Sequence, residues 1–157
     1  MPAIMSIDER QEKIIGEFEN LGDSMEKYLY LIELGRSAPA LDDAYKTGKN
    51  LINGCQAEVW LRGYEAAGRI HFEVDSPSLI VKGIAVLLVR VLSGESPAAI
   101  LDAELYFIER IGLKQQLSPT RSNGLFSMVK RMRSIAQACT DEDASIPAAG
   151  TKKETSR

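Results

Sequence analysis

The sequence predicts an α+β domain: a small three-stranded antiparallel sheet packed against helices. Three observations carry that expectation. Two runs of alternating polarity are joined by a short glycine-containing turn, a stretch apolar almost all round follows them, and helix-capping residues punctuate both sides. At 157 residues the chain is long enough to bury one core, and a single domain is the natural reading.

In chain order, Ser6-Ile7-Asp8-Glu9 has the form of a capping box. Ile7, Ile14, Phe18 and Leu21 then share one helical face, and Gly22 ends the helix. Asp23 or Ser24 can cap a second helix with a stripe of Met25, Tyr28, Leu29 and Ile32, closed by Gly35 with Pro39 just beyond. The period then changes to two. Ala57, Val59 and Leu61 face one way, and Glu58, Trp60, Arg62 and Tyr64 the other. After Glu65-Ala66-Ala67-Gly68, the residues Ile70, Phe72 and Val74 alternate with Arg69, His71, Glu73 and Asp75, which predicts a hairpin. A short strand from Lys49 to Ile52 would precede it and complete a meander.

Ser76-Pro77-Ser78 opens a third helix, Leu79 to Leu92, whose composition predicts burial across the sheet. Ser93-Gly94 ends it, and Ser96-Pro97 is a cap with proline at the first helical position. Short helices are expected around Ala98–Leu101 and Ala103–Ile111. Ser118-Pro119 opens a last helix with a stripe of Leu125, Met128, Val129, Met132 and Ile135. Residues 139–157, polar, charged and small from Thr140 onward, are read as a disordered tail.

Composition excludes several classes. A net charge of −3 with both signs interspersed argues against nonspecific nucleic-acid binding. The first residues lack the basic and apolar regions of a signal peptide, and the longest apolar run, Ile84 to Val89, is too short to cross a bilayer. Two cysteines do not form a disulfide framework, so free thiols in a reducing cytoplasm are expected. With two cysteines and one histidine, neither a closed zinc site nor a cluster held by its own thiolates is expected, and no cofactor is foreseen.

Cys55 stands out because it lies in the turn Asn53-Gly54-Cys55-Gln56 between two apolar runs. A Cys–His hydrolase is disfavoured. Pairing Tyr64 with Arg69 would set His71 opposite Arg62, on the order of 20 Å along the strand from Cys55. A lone thiol can instead accept and pass on sulfur, since thiolate exchange needs access and some thiolate but no dedicated base. Gly54 would let a partner backbone approach, and Gln56 could donate a hydrogen bond to the anion. From local pattern alone, this reading and a small hydrophobe at a strand turn stand about even.

Three segments resemble one family. Asn50-Leu51-Ile52-Asn53-Gly54-Cys55-Gln56-Ala57-Glu58-Val59-Trp60 is similar to the cysteine loop and following strand of the SufE family of sulfur acceptors. Asp75-Ser76-Pro77-Ser78-Leu79-Ile80-Val81-Lys82-Gly83 resembles that family's entry to its buried helix, and Leu117-Ser118-Pro119-Thr120-Arg121-Ser122-Asn123-Gly124-Leu125 its carboxy-terminal signature. Tyr28-Leu29-Tyr30-Leu31-Ile32-Glu33-Leu34-Gly35 is a weaker fourth match. Order and spacing agree over residues 6–138, taken as the sulfur acceptor domain. The family usually has serine after the Cys-Gln pair, where this chain has Ala57.

The resemblance implies a fold like that of SufE and the IscU scaffold, although this chain lacks the scaffold's cluster-ligand cysteines. It implies an accessory protein without independent turnover. Its acceptor Cys55 would take persulfide sulfur from a PLP-dependent cysteine desulfurase (SufS- or CsdA-like), stimulate that enzyme, and pass sulfur to an iron–sulfur scaffold complex (SufBCD-like). Gly54, Gln56 and Arg121 are candidate partner contacts. For Arg121, in the first turn of the last helix, a partner or loop contact and a structural salt bridge stand level. The alternative for the whole protein is a non-covalent activator of a desulfurase. Asp75 is read as structural, Trp60 as packed under a helix, Lys130, Arg131 and Arg133 as a solvated face, and Cys139 as an ordinary free thiol. Monomer against homodimer is left open.

Overall fold

Local capping and a shared apolar core determine where the helices begin and what they bury. The structure, a computed structural model, describes residues 5–53, 57–113 and 119–145, and the side chains of the last helix from 123 to 140. Helix α1 (Ile7–Glu19) starts on the predicted capping box: the Ser6 hydroxyl accepts from the Glu9 amide, and the Ser6 amide donates to the Glu9 carboxylate. Helix α2 (Ser24–Ser37) is capped by Asp23, and α3 (Leu79–Leu92) by Ser78. Helix α4 (Pro97–Asp102) has Ser96 at its cap and proline at its start, and α5 (Phe107–Arg110) is a single turn. Helix α6 (Pro119–Ser145) continues past Thr140, where the apolar pattern fades. Ser118 lies outside the described residues.

Strands β1 (Trp60–Ala66) and β2 (Arg69–Asp75) form the hairpin. Its turn is two residues, Ala67 and Gly68, both with positive φ (56° and 77°), as a tight primed turn requires. The pairing therefore sets Tyr64 opposite His71 and Arg62 opposite Glu73, not Tyr64 opposite Arg69 as the longer turn would have it. Leu61, Gly63, Phe72 and Val74 share the inner face, where Ile135 of α6 fills the space above Gly63.

The expected strand at Lys49–Ile52 is reduced to one bridge, Leu51 to Trp60, so the sheet has two strands among the described residues. The reason is local. Residues 48–50 are turned, with the Asn50 amide donating to the Thr47 carbonyl, which leaves no room for a longer strand.

Helix α3 is the central element, buried on nearly every side against α1, α2, β2 and α6. Its contact with α2 is close. A methyl group on Gly35 would run into the Leu79 carbonyl, and one on Gly83 into the Leu31 carbonyl. Gly35 is thus a contact glycine inside α2, which runs on to Ser37. The stripe expected for α2 is corrected in part: Tyr28 and Ile32 pack partly buried against the core and Leu31 and Gly35 are buried, while Met25 and Leu29 are 62% and 55% exposed. Close approach at two glycines turns the small-residue face, not the bulkiest one, toward α3.

Candidate functional site

The segment that carries Cys55 is anchored at both ends. Gly54, Cys55 and Gln56 themselves lie outside the described residues, and so do the side chain of Arg121 and the segment 114–118. What is described is the frame. The Ile52 amide donates to the Val59 carbonyl at 2.9 Å, and the Leu61 amide to the Asn50 carbonyl at 2.9 Å. These bonds join the described residues on either side of the Cys55 segment at the end of the hairpin away from its turn. Ile52 and Val59 are buried, and Ala57 packs partly buried against the core.

Downstream of the loop, the frame is hitched to a buried ionic cluster. The Ser76 hydroxyl donates to the Glu58 carbonyl at 2.6 Å, and the Ser76 amide to Asp75 at 2.8 Å. Asp75 also accepts from the Leu41 amide at 2.9 Å and pairs with Lys82 at 3.1 Å and Lys46 at 3.3 Å. Burial by itself would raise the Asp75 pKa, but the Leu41 amide, Lys82, the Ser76 amide and Lys46 outweigh it and hold the carboxyl below its ordinary value. The hydrogen bond to Asp75 in turn raises the pKa of Lys46. Asp75 is structural, as expected, through ion pairs that the cap-like sequence Asp-Ser-Pro-Ser did not signal.

Upstream, Arg131 of α6 donates to the Leu51 carbonyl at 3.0 Å and the Lys49 carbonyl at 3.3 Å. Arg133 donates to the Ala103 carbonyl and is likewise partly buried. Both correct the reading of this stretch as a solvated face. The signal was absent because the partners lie 80 and 30 residues away in the chain.

The other singled-out residues fall elsewhere. Trp60 is half-buried on the outer face of the hairpin, with the Lys46 ammonium 5.7 Å from its ring centre, rather than inside under a helix. His71 stacks on Tyr64 at 5.4 Å, and Arg62 lies between Tyr64 and Tyr45. The observed register moves His71 further toward the turn and away from the Cys55 loop. Cys139 is partly buried against the core on α6. A cavity of about 400 Å³ between residues 38–45, β2 and α3 has no thiol or imidazole among its described lining residues. Among the described residues no cluster of three or more His, Cys, Asp or Glu could hold a metal ion, and no helix is long and apolar enough to cross a membrane.

Sequence similarity decides the family. Residues 12–136 match the family model "SufE: Fe-S metabolism associated domain". The chain belongs to the SufE family. Among its relatives, an uncharacterised SufE-like protein of Rhizobium etli is 39% identical over 132 residues, covering 80% of this chain and 88% of that protein. SufE-like protein 1 of Arabidopsis thaliana, chloroplastic/mitochondrial by name, is 35% identical over 134 residues. That match covers 85% of this chain, which spans 36% of the length of the Arabidopsis protein. The solution structure of a hypothetical protein from Thermus thermophilus superposes with a TM-score of 0.68 at 23% identity, covering 84% of this chain and 96% of that one, and shows the shared fold. Membership of the SufE family associates the chain with iron–sulfur metabolism.

Proposed function

We propose that Cys55 accepts sulfur from the persulfide of a PLP-dependent cysteine desulfurase (SufS- or CsdA-like), and that docking stimulates that enzyme. The sulfur then passes to an iron–sulfur scaffold complex (SufBCD-like), in a reducing cytoplasm. The observation that supports this reading is the family match over residues 12–136, which takes in Cys55 and both described legs of its loop.

In the transfer step the Cys55 thiolate attacks the terminal sulfur of the donor persulfide. A new S–S bond forms on Cys55, the S–S bond of the donor breaks, and the donor cysteine leaves as a thiolate. The proton on the terminal sulfur travels with it. No net electrons are gained or lost, so the step needs neither an oxidant nor a cofactor of this chain. Gly54, Gln56 and Arg121 are the proposed contacts to the desulfurase. No other catalytic group of this chain is required.

The test compares two serine variants in a desulfurase assay that measures sulfide from cysteine. Cys55→Ser is expected to abolish stimulation, whereas Cys139→Ser keeps it. Full stimulation by Cys55→Ser would replace the relay with a non-covalent activator.

A further inference from the structure

We propose that Arg131 is a positioning residue for sulfur acceptance, acting as a substitute strand on the upstream leg of the Cys55 loop; this rests on the relay reading above. In an extended segment, successive carbonyls point to opposite edges. The inner edge of residues 50–52 is taken by β1, through the bonds from Leu61 to Asn50 and from Ile52 to Val59. The carbonyl of Leu51 faces the opposite edge, where a third strand of a meander would need a further neighbour, and that of Lys49 belongs to the turn at residues 48–50 just before it. The Arg131 guanidinium meets both of them, at 3.3 and 3.0 Å.

The chemistry favours arginine. A guanidinium is a planar fork with fixed donor directions, so two of its nitrogens can serve two neighbouring carbonyls at once. Lysine presents a single flexible ammonium and cannot reproduce that fork. Donors carrying a full charge also give stronger bonds than a neutral amide would. Arg131 is placed for this by α6, whose neighbouring residues Met128 and Met132 are buried in the core. The loop legs are therefore tied to two separate parts of the fold: the upstream leg to α6 through Arg131, and the downstream leg to the Asp75 cluster through Ser76 and the Glu58 carbonyl. Neither tie involves a group that takes part in the sulfur transfer itself.

The experiment uses the full chain with Arg131→Met, which keeps the apolar stem, and Arg131→Lys, which keeps the charge. Amide hydrogen exchange is read at Ile52 and Leu61 and, as an internal control, at Leu87 in α3. Sulfur loading is read as mass gain on incubation with saturating desulfurase and cysteine. The expected result is roughly tenfold faster exchange at Ile52 and Leu61 in Arg131→Met, with Leu87 unchanged. Loading should slow several-fold at saturation, and Arg131→Lys should recover little of it. Equal acceleration at Leu87 would mean a general structural role and overturn the proposal, as would unchanged exchange or unchanged loading. A wild-type chain that gains no sulfur would remove the acceptor reading and this role with it. The exchange data would then still decide whether the guanidinium holds the leg.

Discussion

The α2–α3 contact and the frame of the Cys55 loop hold their parts together by opposite means. Between α2 and α3, Gly35 and Gly83 bring backbone against backbone. Such an interface has one fitting arrangement and little tolerance for added volume. The loop frame is made from the Arg131 fork, the Ser76 hydroxyl and the Asp75–Lys82–Lys46 cluster. Hydrogen bonds to charged groups hold direction closely, yet they answer to pH and to single-atom changes. The scaffold is thus fixed by shape, and the segment that carries the chemistry is fixed by direction and charge.

Substitutions should separate the two. The largest effect is expected at the glycine contact. Gly83→Ala places a methyl group against the Leu31 carbonyl, and neither helix can yield without disturbing the core. A loss on the order of 4 kcal/mol in denaturant unfolding is expected, with a pH dependence no different from that of the wild type. A loss below about 1 kcal/mol would show that the two helices can slide apart.

Asp75→Asn should come next, at about 3 kcal/mol, because it leaves Lys82 buried without its charge partner. Here the pH profile carries the information. The folded-state pKa of Asp75 lies below its ordinary value, so its contribution is fully present above about pH 4 and is lost as the pH falls through that value toward the lower folded one. Glu17, lowered chiefly by its hydrogen bonds to Arg90, adds loss of the same sign. Acid unfolding curves should therefore be shallower in Asp75→Asn than in wild type. Curves of equal slope would remove Asp75 from the account of pH sensitivity.

The smallest effect belongs to a site outside both regions. Ser6→Ala removes one half of the capping box of α1 and should cost about 1 kcal/mol, a shift of a few degrees in Tm, with sulfur acceptance unchanged.

How much of this could be read in the sequence follows from how local each feature is. Ser6, Asp23, Ser78 and Ser96 cap where their spacing indicates, since a cap is decided within four residues. The limits of α3 were equally plain, because a nearly all-apolar run between Ser78 and Ser93 has one reading. Gly35 was misread as a stop, since a glycine that ends a helix and one that admits a neighbouring helix look alike until the neighbour is known. The hairpin register slipped because Ala67 takes a positive φ that its residue type does not advertise. Gln11 gave no sign of its role: buried on an otherwise apolar face, it donates to the Glu104 carbonyl and accepts from the Phe107 amide. Arg131 and Ser76 were invisible for the same reason, their partners being backbone carbonyls that any residue could supply.

The central claim is that Cys55 is the atom on which sulfur arrives. Intact mass of the full chain, measured after incubation with a cysteine desulfurase and cysteine and again after reduction, tests it most directly. The account predicts the gain of one sulfur atom, lost on reduction, absent in Cys55→Ser and retained in Cys139→Ser. A gain that persists in Cys55→Ser, or stimulation of the desulfurase without any gain in the wild type, would contradict it.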